Sequence, residues 1–299
     1  MTQRRQGNSG ATSVSCVQPY DFALSTAAMR SRQPGGVYSL EQLRIQTLLQ
    51  DTPTIVEVKA DGSGKTLEAT SRPAADPARV RALVERVLFS SLDLSPFYEL
   101  ISKEQRLAPL ATELHGLKPM RPATLFEMAV IAITEQQVSL ASAYHSRERL
   151  TRAFGRQVED LRIFPTPGVL AATTLEELRS LGLTRQKTDY IRTLAQRIDS
   201  GEFDLNRLES MDDATARETI TGWRGFGAWS ADYMLVRGLA RPDAVPYGDI
   251  AIRGVVGTYL GDGSRAASED VETLLEPFRP WRGLLVFYLL SHGRHMQRP

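Results

Sequence analysis

Cysteine is nearly missing from this chain: Cys16 is the only one among 299 residues. A single thiol cannot close an internal disulfide, which points to a reducing, intracellular setting. It also cannot ligate an iron–sulfur cluster, which takes about four cysteines. Histidine is scarce too, and His115, His145, His292 and His295 show no paired spacing of the kind that holds a metal. Long apolar runs are absent. The longest, such as Met128–Ile133, fall far short of the ~20 residues a spanning helix needs, so no membrane partner is expected. Charge is balanced at a formal +1, which neither announces nor excludes a nucleic-acid partner. Hydrophobic residues make up 42% of the chain, enough for one large core or two ordinary ones and too many for global disorder.

Residues 1–16 are polar, rich in Ser, Gly and Thr, and read as a disordered tail. From Tyr20 to about Thr70 the pattern favours strands. Thr54–Ala60 alternates and is β-branched, Asp61–Gly64 is a turn, and Lys65–Ser71 can return. Beyond Pro77, residues Val80, Leu83, Val84, Val87 and Leu88 share one helical face. This describes a small α+β N-terminal domain over residues 17–115. From residue 116 to 299 nearly everything is helical. Thr124 and Glu127 form a capping-box signature ahead of an apolar helix. Helices near Leu175–Leu181 and Lys187–Asp199 stop at Gly182 and Gly201. The last helix, from about Trp281 to Ser291, is almost wholly apolar and must be internal.

The most informative stretch is Glu218–Arg253. It reads as a helix, a tight turn at Gly225-Phe226-Gly227, and a second helix starting near Ala228. Glycine at both turn positions permits positive φ and close approach of a ligand, and N–H groups entering the second helix suit a phosphate. Phe226 between them reads as an apolar plug. A helix pair needs a turn in any case, so this motif alone is weak. Trp229 and Tyr233 follow, four residues apart and therefore on one face. A loop with Pro242 and Pro246 then leads to Asp249 at the start of another helix. Asp249 is explained as an N-cap, or as a carboxylate aimed into a cleft beside two aromatics, and the two roles are compatible.

Gly225-Phe226-Gly227, Ala231, Leu235, a proline-bearing loop, Asp249 and Arg253 together resemble the helix-hairpin-helix–Gly/Pro–Asp signature of DNA base-excision glycosylases. More of the chain is similar, in order, to the 3-methyladenine DNA glycosylase II (alkylation-repair) branch of that superfamily. The matching segments are Pro19–Phe22, Leu92–Tyr98, Glu135–Ser139, Leu181–Ala195 and Pro280–Gly293. The likeness runs from about residue 17 to 295. It implies a mostly α fold, in which a helix-hairpin-helix core of two helical subdomains joins the small α+β N-terminal domain.

The resemblance further implies a monofunctional, monomeric glycosylase that flips an alkylated purine out of double-stranded DNA and hydrolyses its N-glycosyl bond. Asp249 would stabilise the oxocarbenium-like sugar or activate water. Trp229 and Tyr233 would wall the base pocket, though core packing at i, i+4 explains them equally. Gln136 would touch the substrate and Gln137 the DNA stack, where the family's wedge loop inserts; both read otherwise as solvated polar residues. Gly225, Phe226, Gly227 and Arg253 would contact the DNA backbone, with Arg253 otherwise a solvent-facing cation. Arg185 and Lys187 could reach phosphates. No resident cofactor is implied, beyond a Na+ or K+ ion on the hairpin carbonyls of Arg224–Gly227. Where bifunctional relatives carry a Schiff-base lysine, two residues past the hairpin's last glycine, this chain has Trp229, so strand cleavage is not expected.

Three departures bear on the substrate. Arg224 stands where proline is common, Glu135 where glycine is usual, and Leu290 where some branch members place a second pocket tryptophan. A glycosylase for a deaminated or oxidised base, and a non-catalytic structure-selective DNA-binding protein, are the alternatives.

Overall fold

A computed structural model describes residues 10–30 and 42–296. Residues 1–9 of the expected tail, residues 31–41 of the strand-like stretch and residues 297–299 lie outside the described residues. The N-terminal part holds β1 (Gly10–Ser15), α1 (Phe22–Arg30), β2 (Gln42–Leu49), β3 (Thr52–Ala60), β4 (Thr66–Arg72) and α2 (Pro77–Leu88). The strands form one antiparallel sheet in the order β1-β4-β3-β2. Alternation puts Leu43 and Ile45 of β2 and Leu67 and Ala69 of β4 on the covered face. Against that face α2 lays Val80, Leu83, Val84, Val87 and Leu88, the stripe its spacing predicts. Asp76 caps this helix by accepting the N–H of Ala78.

Two sequence expectations change here. Residues 10–15, assigned to the polar tail, form β1, with Val14 wholly buried and the register fixed by β4. Pairing with a strand more than fifty residues away supplies order that local composition does not advertise. Phe22–Arg30 is helical, although the stretch around it reads as strand.

Next come α3 (Ser95–Ile101) and α4 (Ala108–Glu113), then α5 (Leu125–Glu135) and α6 (Leu140–Phe154). A minimal ladder, β5 (Gln157–Val158) with β6 (Leu161–Arg162), precedes α7 (Pro167–Ala172), α8 (Leu175–Ser180) and α9 (Arg185–Asp199). The chain continues through α10 (Asp213–Thr221) and α11 (Ala228–Tyr233), which runs on as one π-helical turn, Met234–Gly238. It closes with α12 (Ile250–Leu260), α13 (Ser268–Leu275) and α14 (Arg282–Met296).

Apolar packing divides these helices into two cores. One is built from Leu125 to Leu239. The other joins Leu92–Leu117 to Val245–Leu289, so a segment expected to close the N-terminal domain packs with the end of the chain. Phe97 sits edge-on to Tyr288 at 4.8 Å, and the Tyr288 hydroxyl donates to Leu117 O at 2.8 Å. The fold is mostly α with a small N-terminal α+β unit, as the sequence led us to expect. Among the described residues no helix is long and apolar enough to cross a membrane.

Candidate active site and nucleic-acid interface

The hairpin between α10 and α11 turns on a hydrogen bond from Phe226 N to Trp223 O at 3.0 Å. Gly225 has φ +89, and a Cβ there would stand 2.3 Å from the Tyr190 ring, so both backbone and space require glycine. Gly227 differs from its expectation. Its φ is −101, ordinary extended backbone, and a Cβ would meet nothing within 4 Å. Gly227 is also the N-cap of α11 and supplies no side-chain cap. What its missing side chain leaves open is the approach to the first N–H groups of α11.

Phe226, expected at the DNA, is 5% exposed and packs edge-on against Trp223 at 5.3 Å. That packing fits the plug role, and the residue also borders the groove beside the hairpin. Beside the hairpin lies a groove of about 620 Å³ lined by Gly225–Gly227, Gln137 and the start of α9, including Arg185. Lys187 also lines this groove, but two of its three Nζ donors are committed, to Thr134 O at 2.8 Å and Gln136 O at 2.7 Å at the end of α5.

A larger cleft of about 1780 Å³ opens between the two helical cores. Asp249 stands on its wall at the N-cap of α12. Its Oδ1 accepts the N–H groups of Ala251 at 2.9 Å and Ile252 at 3.2 Å. Its Oδ2 accepts the indole Nε1–H of Trp229 at 3.0 Å. The N-cap and cleft readings of Asp249 therefore coexist, one on each oxygen. The bond to Trp229 also joins the two cores, since α11 belongs to the first and α12 to the second.

Trp229 and Tyr233 stack with centroids 4.9 Å apart and planes 27° from parallel, and both line the cleft. Tyr233 Oη donates to Glu135 Oε2 at 2.7 Å and accepts from Arg237 at 3.1 Å. Burial pushes the phenol up to about 12. Glu135, expected near a DNA face, is turned inward and paired with Arg147 at 3.0 Å.

Gln136 also departs from its expected role. It borders the cleft, yet its Nε2 donates to Gly225 O at 2.8 Å and Ser230 Oγ at 3.0 Å, fastening the end of α5 to the hairpin. Gln137 is the residue that projects, exposed and at φ +54. Val138, Leu140 and Ile250 are exposed apolar side chains on the same rim.

Arg253 faces away from the cleft. Its Nε donates to Ala266 O at 2.8 Å, and its own carbonyl accepts Ala266 N–H at 3.2 Å, which braces the loop before α13. Leu290 lines the cleft from α14 as expected. With it comes Phe287, which sequence reasoning passed over although it lies three residues earlier on the same helical face. Arg147 and Tyr144 of α6 also reach the cleft, and no sequence signal singled them out.

Known proteins share this fold. The HhH-GPD superfamily of base excision DNA repair proteins matches residues 130–280, from the interior of α5 to just before α14. DNA-3-methyladenine glycosylase of Bacillus subtilis is 28% identical over 201 residues, 66% of this chain and 66% of its own length. A 3-methyladenine DNA glycosylase from Archaeoglobus fulgidus has a similar structure, with TM-score 0.84 at 22% identity over 96% of this chain and 99% of that one. The 8-oxoguanine glycosylase/lyase of Clostridium acetobutylicum, solved with double-stranded DNA, gives TM-score 0.68 at 16% identity, with 86% of each chain covered. The matched span contains the hairpin, the aromatic pair and Asp249, and the chain belongs to the HhH-GPD superfamily of base excision DNA repair proteins.

Proposed function

We propose that this protein is a monofunctional DNA glycosylase that releases alkylated purines of the 3-methyladenine type from double-stranded DNA. The observation that carries the reading is Asp249: a carboxylate at a helix N-terminus whose second oxygen faces an aromatic-walled cleft and is oriented by Trp229.

A base inside a duplex must leave the stack before it can be cut, at a cost of a few kcal/mol. The groove beside Gly225–Gly227 would take a backbone phosphate through helix N–H groups, and Gln137 would fill the vacated space. A monovalent cation on the hairpin carbonyls fits this reading only in part, because Gly225 O already accepts Gln136 and Gly227 O already accepts Ala231 N–H. Each carbonyl keeps a second lone pair for an ion.

An N-alkylated purine is cationic, and the faces of Trp229 and Tyr233 attract a cation by up to ~2 kcal/mol when desolvated. Because the Tyr233 hydroxyl is saturated by Glu135 and Arg237, the wall offers faces and not a hydrogen-bonding edge. That suits recognition by charge and stacking. As the base departs, positive charge grows on the sugar, and Asp249 Oδ2 is the oxygen placed to stabilise it and to orient water. Oδ1 is committed to the helix.

The test is release of free 3-methyladenine or 7-methylguanine from alkylated duplex DNA by wild type and Asp249→Asn. The variant is expected to lose about 10²–10³-fold in rate while its circular dichroism stays native. No release by the wild type from either lesion would overturn the substrate assignment, and release undiminished in the variant would overturn the role of Asp249.

A further inference from the structure

The aromatic wall of the cleft is fixed at both ends by carboxylates, and only one of them belongs to the proposed chemistry. At one end Trp229 donates to Asp249 at 3.0 Å. At the other, Tyr233 donates to Glu135 at 2.7 Å. Between them the two rings stack at 4.9 Å. Glu135 ends α5, Trp229 and Tyr233 lie on α11, and Asp249 caps α12, so one line of contacts crosses three elements.

Glu135 is itself immobilised. Its side chain is 8% exposed, and its other oxygen, Oε1, takes Arg147 at 3.0 Å. Arg147 in turn donates to Thr134 Oγ1 at 3.0 Å. A carboxylate removed from water and paired in this way costs free energy to assemble unless its bonds return it. Here it returns a single orientation for the Tyr233 phenol, whose oxygen also accepts from Arg237 at 3.1 Å.

We infer that Glu135 is a positioning residue: it locks Tyr233, and through the ring stack Trp229, so that the indole N–H presents Asp249 to the sugar. It does not touch the base. The inference rests on the proposed reading of the cleft as a base pocket, but the geometry it claims can be measured without any reaction.

The experiment compares wild type with Tyr233→Phe, Glu135→Gln and Glu135→Ala. Tyr233→Phe deletes the hydroxyl and leaves the Glu135–Arg147 pair intact, so it carries the test should Glu135→Ala unfold. Near-ultraviolet circular dichroism reads the coupling of the stacked rings. Single-turnover release of 3-methyladenine, with enzyme in excess, reads alignment, and affinity for abasic-site duplex reads binding alone.

Glu135→Ala is expected to lose the ring coupling, and Glu135→Ala and Tyr233→Phe about tenfold in single-turnover rate, with abasic-site affinity near that of wild type. Glu135→Gln keeps an acceptor for the hydroxyl and should retain both the coupling and most of the rate. Wild-type rate in Tyr233→Phe, or wild-type coupling in Glu135→Ala, would overturn the inference. So would Glu135→Gln falling as far as Glu135→Ala, since that would make the charge decisive and not the hydrogen bond. A wild type that releases no base would sink the substrate reading by itself. The ring coupling across the four proteins would then still decide whether Glu135 positions the stack.

Discussion

The two helical cores meet at the cleft but are put together differently. The one bearing the hairpin and the aromatic pair is a continuous stretch of chain, and its helices are started locally. Thr124, Ser139, Thr166, Thr174, Thr184 and Asp212 each accept an N–H in the first turn of the helix they precede. Each such cap contributes about 1 kcal/mol. The core bearing Asp249 is drawn from two distant stretches. There α4 and α13 begin without a side-chain cap, α3 has its first N–H held by Asp93, and α12 is capped by Asp249 itself. The half that would grip DNA is thus organised by local sequence. The half that holds the carboxylate depends on long-range joints, and the carboxylate is one of its own structural parts.

Arg282 tests that contrast most severely. At the start of α14 its guanidinium takes Asp243 with two bonds, Nε to Oδ1 at 2.9 Å and a terminal nitrogen to Oδ2 at 2.7 Å. Its side chain is 8% exposed, and the pair fixes the loop that leads to Asp249. Arg282→Met should lower stability by about 3 kcal/mol in urea melts, because Asp243 loses both guanidinium bonds and keeps only the exposed Arg279 and the backbone N–H of residue 282. Arg217, paired with Asp232 in the other core, is 48% exposed. Arg217→Met strands Asp232, whose side chain is 12% exposed, but water reaches this pair from the Arg217 side, so the loss should be smaller, about 1–2 kcal/mol. Equal losses would break the comparison.

The hairpin glycines come next. Gly225→Ala forces a Cβ against Tyr190 at positive φ and should cost about 1–3 kcal/mol. Gly227→Ala meets open space and should leave stability within about 0.5 kcal/mol of wild type. Its cost should appear in duplex affinity, since the methyl would stand over the N–H groups of α11. Thermal melts paired with binding to abasic-site DNA separate the two effects. Gly227→Ala with undiminished binding would remove the phosphate from this position.

What was legible in the sequence follows the same division. Repeating local signals gave the buried stripe of α2, the cap at Thr124, and the stops at Gly182 and Gly201, both at positive φ. The turn at Gly225 and the placement of Asp249 at a helix start were also readable, because each is decided within a few residues. Strand β1 was not, since Val14 alone marks it and its partner is distant. Nor were the directions of long polar side chains. Gln136, Lys187 and Arg253 each bind a backbone carbonyl, at Gly225, Thr134 and Ala266, that only the folded chain brings near. Helix α6 reached the cleft with Arg147 and Tyr144 on a polar face that carries no motif.

Trp229→Phe sharpens the link between the halves. It keeps a ring against Tyr233 and removes the one N–H that crosses to Asp249. A hydrogen bond to a charged group contributes about 1.5 kcal/mol or more, so a rate loss of about tenfold is expected in single-turnover base release. Stability should fall by no more than about 1.5 kcal/mol, because both helix N–H bonds to Oδ1 persist. A rate equal to wild type would mean that the cap alone orients the carboxylate.

The smallest expected effect concerns Glu127, on the cleft side of α5. Burial pushes its carboxyl up to about 7, against the pull of the Ala123 N–H, Arg147 and Arg86. An acid whose pKa is raised on folding binds its proton more tightly in the native state. Its burial therefore costs nothing below the unfolded value near 4.5, and the cost grows as pH rises towards 7. Glu127→Gln is neutral at every pH and keeps an acceptor for Ala123. It should match wild type in thermal melts near pH 4.5 and exceed it above pH 7, by about 1 kcal/mol once residual solvent on this half-covered residue is allowed for. A constant difference across that range would show that the carboxyl titrates as if exposed.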